Sequence, residues 1–207
     1  MSLSRLPDWD WLDQELIYSR QFDMENFGEH WDSDFDLSGE LLDFFAQTLE
    51  KMLAHVKAIY IVNSKFGPNM LTALANAVKN NRSLEVIEFQ GSKIADNAIS
   101  LQACIDIINH CPSLKKFYLT HSFALSKKSA TSLITTLANK KNITHFALDF
   151  EPQSEIIANT INHLLNHPTL EFIVLTGLVL NRADIRALNA AITSITSLRK
   201  LTLSGWC

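Results

Sequence analysis

Leu84-Glu85-Val86-Ile87-Glu88-Phe89-Gln90 and, 30 residues further on, Leu114-Lys115-Lys116-Phe117-Tyr118-Leu119-Thr120 are the stretches whose reading decides the fold of this 207-residue chain. Each has an apolar residue, two variable positions, a second apolar residue, one variable position and a third apolar residue. Four more segments share the pattern: Val56/Ile59/Ile61, Ile143/Phe146/Leu148, Leu170/Ile173/Leu175 and Leu198/Leu201/Leu203. Along all six, successive starts lie 28, 30, 29, 27 and 28 residues apart. The second and third apolar residues alternate with period two, as a short strand with one buried face does.

Between the strands the period changes. Leu71, Leu74 and Val78 stand at offsets of −13, −10 and −6 from the start of the next strand segment. The same offsets give Leu101/Cys104/Ile108, Ala130/Leu133/Leu137, Ile157/Thr160/Leu164 and Ile185/Leu188/Ile192. Spacings of three and four place these side chains on one helical face. Each unit is therefore a strand, a loop, an amphipathic helix and a tight polar return such as Asn81-Arg82-Ser83, Cys111-Pro112-Ser113 or His167-Pro168-Thr169. Strands are expected near 57–62, 85–90, 115–120, 144–149, 171–176 and 199–204, side by side in one parallel sheet.

This locked double register resembles the leucine-rich-repeat family, and the unit of 27–30 residues with a full helix is similar to its ribonuclease-inhibitor-like subclass. The resemblance implies a right-handed α/β solenoid, a horseshoe arc with the parallel sheet on its concave face and helices on its convex face. Residues 55–207 would form five full repeats plus a terminal strand, behind an acidic, aromatic N-terminal segment and capping helix in residues 1–54. Ser38–His55 reads as that helix, with Ser38 as N-cap and Leu41, Leu42, Phe45, Leu49, Met52 and Leu53 on its buried face. The family places Asn or Cys three residues after the third apolar position. Ser64, Ser92, Ser122, Glu151, Leu178 and Trp206 stand there instead, so the side-chain ladder is expected to be missing or replaced.

Charge marks one boundary. Residues 1–54 hold 13 acids against 3 bases, whereas residues 55–207 hold 9 acids against 15 bases. Ahead of the capping helix, Trp9, Trp11, Phe22, Trp31 and Phe35 accompany the acids, a composition expected to pack on the first repeat or lie along the solenoid. No apolar run approaches the ~18–20 residues of a membrane span, and no secretory signal pattern opens the chain. Cys104, Cys111 and Cys207 lack framework spacing, which fits reduced thiols in the cytoplasm or in a host cytosol reached without a cleaved signal. The last strand has no helix after it, so an edge carrying Leu201, Leu203 and Trp206 invites further chain or a homodimer contact.

Chemistry-bearing motifs are sparse, and the expectation is a protein that is not an enzyme and needs no cofactor or metal. Asp32-Ser33-Asp34-Phe35-Asp36 imitates the start of a calcium loop, but Leu37 replaces the loop glycine; acids favouring a helix N-terminus explain it better. Lys115, Lys116, Lys127, Lys128, Lys140 and Lys141 crowd the third repeat, whose residues 114–142 contain no acid. Overall acidity argues against nucleic acid as their partner. The concave columns carry the candidate site: Tyr60, Glu88, Tyr118 and Val174 in the centre, Val86, Lys116, His145 and Phe172 before it, Asp149, His121 and Phe150 after it. Aromatics with a polar rim are the composition of an interaction surface. His121, His145 and Asp149 also suggest a metal or acid–base group, without a third strong ligand.

The reading is a protein–protein interaction module that binds through this face. With 15 Asn and 12 Lys against 6 Arg, its texture is similar to leucine-rich-repeat effectors of intracellular bacterial pathogens, which implies virulence and host-protein partners. The alternative is a substrate-receptor or adaptor subunit of a ubiquitin ligase, with a degenerate F-box-like N-terminus opening at Leu6-Pro7.

Overall fold

The computed structural model describes residues 21–25, 36–121, 125–155, 167–179, 182–192 and 197–204. The strands are β1 (Gln21–Glu25), β2 (Ala58–Val62), β3 (Lys65–Phe66), β4 (Val86–Gln90), β5 (Lys93–Ile94), β6 (Lys116–Thr120), β7 (His145–Glu155), β8 (Phe172–Val179) and β9 (Lys200–Leu203). The helices are α1 (Gly39–Leu53), α2 (Pro68–Val78), α3 (Ala98–His110), α4 (Lys127–Ala138) and α5 (Arg182–Ile192). One seven-stranded sheet runs β1-β2-β4-β6-β7-β8-β9, every pair parallel, and β3 pairs with β5 in a small second ribbon. The architecture is thus α/β, a parallel sheet with helices. Parallel neighbours need a crossover, and α1, α2, α3, α4 and α5 lie in the connections between β1 and β2, β2 and β4, β4 and β6, β6 and β7, and β8 and β9.

The period-two pattern sets the register. Phe22, Ile59, Ile87, Phe117, Phe146 and Ile173 are Cα partners from strand to strand, and Met24, Ile61, Phe89, Leu119, Leu148 and Leu175 form the next row. All twelve are buried. Against them pack Leu71, Leu74 and Val78 of α2, Cys104 and Ile108 of α3, and Ala130, Leu133 and Leu137 of α4, each fully buried. The buried thiols of Cys104 and Cys111 are pushed up to about 12 and about 11, so neither is a nucleophile at neutral pH. Among the described residues no helix is long and apolar enough to cross a membrane.

Two polar ladders stitch unit to unit. At the helix-to-strand return, Asn81 donates to the Leu53 and Val56 carbonyls (2.7 and 2.9 Å) and accepts from Ser83 and Leu84 N–H. At the equivalent place in the next three units, Cys111 Sγ reaches the Val78 carbonyl, Lys140 Nζ the Ile108 carbonyl and His167 Nε2 the Lys140 carbonyl. At the other end of the strands, Ser92 Oγ donates to the Ile61 carbonyl (3.0 Å) and accepts from Ser64 N–H (3.3 Å). Ser64 Oγ in turn reaches the Met24 carbonyl (3.4 Å). Serine therefore replaces the expected Asn or Cys, and the corner there is closed, not loosened.

That corner also requires left-handed backbone. Asn63, Gly91, His121 and Gly177, each two residues past the third apolar position, have φ of 50°, 63°, 54° and 79°. In the fourth unit the position is Phe150, a bulky residue poorly suited to positive φ. There the strand continues instead, and β7 reaches Glu155 with a register shift between Asp149 and Ser154.

Several expectations change. The acidic N-terminal segment supplies a strand of its own, β1, with Phe22 and Met24 buried. In α1 Phe45, Leu49 and Leu53 are buried, Leu41, Leu42 and Met52 only partly, and the Ser38 side chain makes no capping bond. Asp36 accepts from Asn69 and Met70 N–H (2.7 and 3.3 Å), so the acid at the end of the calcium-like stretch caps α2. Gly67 leaves it room, since a Cβ there would stand 2.2 Å from Asp36 Oδ1. The six lysines do not make one patch. Lys127 and Lys128 begin α4, while Lys115 and Lys140 lie at the opposite end of the unit, the first paired with Glu85 at 2.9 Å. Ile185 and Ile192 are exposed on α5 rather than buried. Trp9, Trp11, Trp31, Phe35, Ser122, Ile157, Thr160, Leu164, Trp206 and Cys207 lie outside the described residues.

Replacing Ser92 with Ala removes the acceptor that Ser64 N–H uses in a buried corner, and should cost about 1–3 kcal/mol in urea denaturation. An unchanged midpoint would show that the serine ladder contributes nothing net. His167 generates a pH prediction. Its Nε2–H donates to Lys140 O at 2.9 Å, and its Nδ1 accepts from Thr169 N–H at 3.4 Å, an arrangement only the neutral ring satisfies. Burial holds its pKa below 6.5, opposed by the bond to Lys140. The unfolded chain therefore takes the proton first, so this stability is present above pH 6.5 and lost as pH falls through the folded-state pKa. The melting temperature should drop between about pH 7.5 and 5.5, and His167→Gln should flatten that drop.

Candidate functional site

The side chains that alternate with the buried rows point to the sheet face opposite the helices. By register they form columns. The first runs Gln21, Ala58, Val86, Lys116, His145, Phe172, Lys200, and the central one Asp23, Tyr60, Glu88, Tyr118, Ala147, Val174, Thr202. Val86, Lys116, His145 and Phe172 in the first, and Tyr60, Glu88, Tyr118 and Val174 in the second, are all half-buried, lying against one another across the strands. Ala147 is 4% exposed, so Tyr118 and Val174 flank a shallow floor.

In the first column His145 stacks on Phe172, ring centroids 5.5 Å apart and planes at 20°. Lys200, on the strand beyond, holds its Nζ 4.9 Å from the same ring's centroid. This cation–π contact and the stack fix the Phe172 ring between its two neighbours. Burial first, and then Lys116 on the adjacent strand, hold the His145 pKa below 6.5, with Glu171 opposing. The imidazole Nδ1 lies 2.8 Å from Thr144 Oγ1.

The central column places Glu88 between Tyr60 and Tyr118. Burial raises the Glu88 pKa. A raised carboxylate contributes stability only below its unfolded-state pKa and loses it as pH rises, so ionised Glu88 is a cost to the fold at neutral pH. Burial, and then the Glu88 and Tyr60 charges, push the Tyr118 phenol up to about 12. Tyr60 is raised by burial and by Glu88 and Asp23.

His121, His145 and Asp149 are not brought together. His145 begins β7 opposite Lys116, whereas His121 follows the far end of β6, five residues along. Asp149 is occupied as a corner strut: its carboxylate accepts from His121 N–H and from the Thr176 hydroxyl. The His121 side chain is 80% exposed, its Nδ1 3.6 Å from Asp149. Among the described residues no group of three His, Cys, Asp or Glu side chains could hold a metal ion. The Phe150 backbone lies in β7, and its side chain is outside the described residues. Asp23 and Glu25, which extend the face at β1, fall outside the repeat spacing because each stands 37 residues ahead of its partner on β2. The alternation Gln21-Phe22-Asp23-Met24-Glu25 was the available signal. An NMR titration should place the His145 midpoint below 6.5, and Lys116→Ala should raise it; an unmoved midpoint would remove Lys116 as a cause.

Comparison with known proteins follows the fold, not the sequence. No protein-family profile matches the chain, and no curated protein matches its sequence. Among solved structures, the tropomodulin C-terminal domain of Caenorhabditis elegans superposes with a TM-score of 0.55 at 15% identity, covering 73% of this chain and 91% of that one. The structure titled leiomodin-1 actin-binding site 2 gives 0.53 at 10% identity, covering 75% of this chain and 90% of that one. These findings overturn the ribonuclease-inhibitor-like leucine-rich-repeat assignment and the likeness to bacterial effectors, which no matching family carries. What the chain shares with the tropomodulin and leiomodin domains is their α/β fold.

Proposed function

We propose that this chain is a protein-binding module and that its partner sits on the open face of the sheet, read as the concave side of an arc. The observation that carries this is the row of half-buried Tyr60, Tyr118, Phe172 and Val174 on a face that no described element covers. Buried aromatics supply most of the energy at protein interfaces, and a polar rim excludes water around them. Lys116 and Lys200, in the adjoining column, supply that rim. The reading assigns binding, not catalysis: His145 is held in a stack, and Asp149 is spent on the corner. A similarly folded domain is named for binding actin, which supports a protein partner and makes actin the first defined probe. Host delivery, a ligase-adaptor role and pairing of two copies through β9 draw no support from these comparisons.

The double variant Tyr118→Ala/Phe172→Ala tests the reading. Each truncation removes an anchor worth about 2 kcal/mol or more, so affinity for the captured partner should fall by about 30-fold or more per site. Circular dichroism should stay unchanged, because neither side chain belongs to the buried rows. Actin binding and capture from lysate are measured in parallel for both proteins. Full affinity in the folded variant would move the site elsewhere, for instance to the groove of about 290 Å³ between α1 and α2 beside Leu42, Ala46, Asn69 and Thr72.

A further inference from the structure

Among the described residues, Glu88 is a carboxylate without a counter-charge. It lies half-buried in the middle of the open face, and none of the ion pairs among the described residues includes it. Its cross-strand neighbours are Tyr60 on one side and Tyr118 on the other, with Asp23 beyond Tyr60. Adjacent strands lie about 4.8 Å apart, so two phenol rings flank the carboxylate within about 10 Å. The row therefore combines what a cation needs: an anion only partly hydrated, and an aromatic side chain on the strand to either side. Lys116, the lysine of the adjoining column, is Cα partner to Val86, two residues along β4 from Glu88, and forms no ion pair with the carboxylate among the described residues.

We propose that Tyr60, Glu88 and Tyr118 form a site that receives a basic side chain of the protein partner, an arginine in preference to a lysine. A planar guanidinium can lie across a tyrosine ring while donating hydrogen bonds to the carboxylate, which a lysine ammonium does less well. Asp23 adds long-range attraction from the next strand. The cost of holding Glu88 desolvated in the free protein is offset when the cation arrives. This inference rests on the reading of the open face as the binding face and names the chemistry that face selects.

The test uses the intact chain and three blocked tripeptides, acetyl-Gly-Arg-Gly-amide, its lysine analogue and its glutamate analogue. In amide NMR spectra the arginine peptide should shift the Tyr60, Glu88 and Tyr118 signals saturably, the lysine peptide more weakly, and the glutamate peptide not at all. Glu88→Gln should weaken the arginine peptide at least tenfold while leaving the melting temperature unchanged or higher. Shifts elsewhere on the chain, or equal affinity in Glu88→Gln, would overturn the site. So would a lowered melting temperature, which would show that the carboxylate already has a partner within the fold. If Glu88→Gln captures the protein partner fully while Tyr118→Ala/Phe172→Ala does not, the face reading stands and only the cation site fails.

Discussion

No unit of this chain can bury its own apolar strand face, so every unit depends on the one beside it. A strand of five residues offers two inward side chains, too few to exclude water alone. Stacked at the spacing of a parallel sheet, Phe22, Ile59, Ile87, Phe117, Phe146 and Ile173 become one continuous row that does. In such a one-dimensional array stability comes from the interfaces between neighbours. The backbone enforces the same dependence. The carbonyls of Lys57, Glu85, Lys115, Thr144 and Glu171 each accept two N–H groups from the following unit. A unit out of register would forfeit both the row and these bonds.

The corners show how polar groups are reconciled with that stacking. Turning the chain at both ends of each strand buries carbonyls that cannot reach water, and each must be satisfied. Serine at 64 and 92 and asparagine, cysteine, lysine and histidine at 81, 111, 140 and 167 do this with quite different chemistry. What the position demands is a donor of suitable reach, not a particular residue. That tolerance explains how the register survives while the sequence keeps no match to a known family profile.

On the open face the same spacing serves a different end. Strand neighbours in register bring His145, Phe172 and Lys200 into a stack and Tyr60, Glu88 and Tyr118 into a row. The first group is internally satisfied, ring against ring and cation against ring. The second is not, because its carboxylate is half-buried and has no counter-charge among the described residues. The contrast separates residues that shape the face from the residue best placed to act on something outside it.

Much of this was legible in the residues alone. Period-two and helical spacings are consequences of local geometry, so the strands near 86–90 and 116–120, the helices carrying Leu74, Cys104 and Leu133, and the face columns could be read directly. Period-two alternation alone puts Tyr60, Val86, Glu88, Lys116, Tyr118, His145, Phe172 and Val174 on one face, where the strand register has them. What the spacing could not carry was anything depending on a long connection or on a contact between units. β1 escaped because the connection from β1 to β2 is longer than the repeat. The lysines were grouped by sequence, but the helix between them carries Lys127 and Lys140 to opposite ends of the unit. His121, His145 and Asp149 stood in neighbouring columns, yet His145 begins β7 while His121 and Asp149 meet at the other end of β6 and β7. Capping of α2 by Asp36, the serine ladder and the bare charge of Glu88 were settled only by the tertiary structure, since hydrogen bonding and desolvation depend on which atoms the folded neighbours bring within reach.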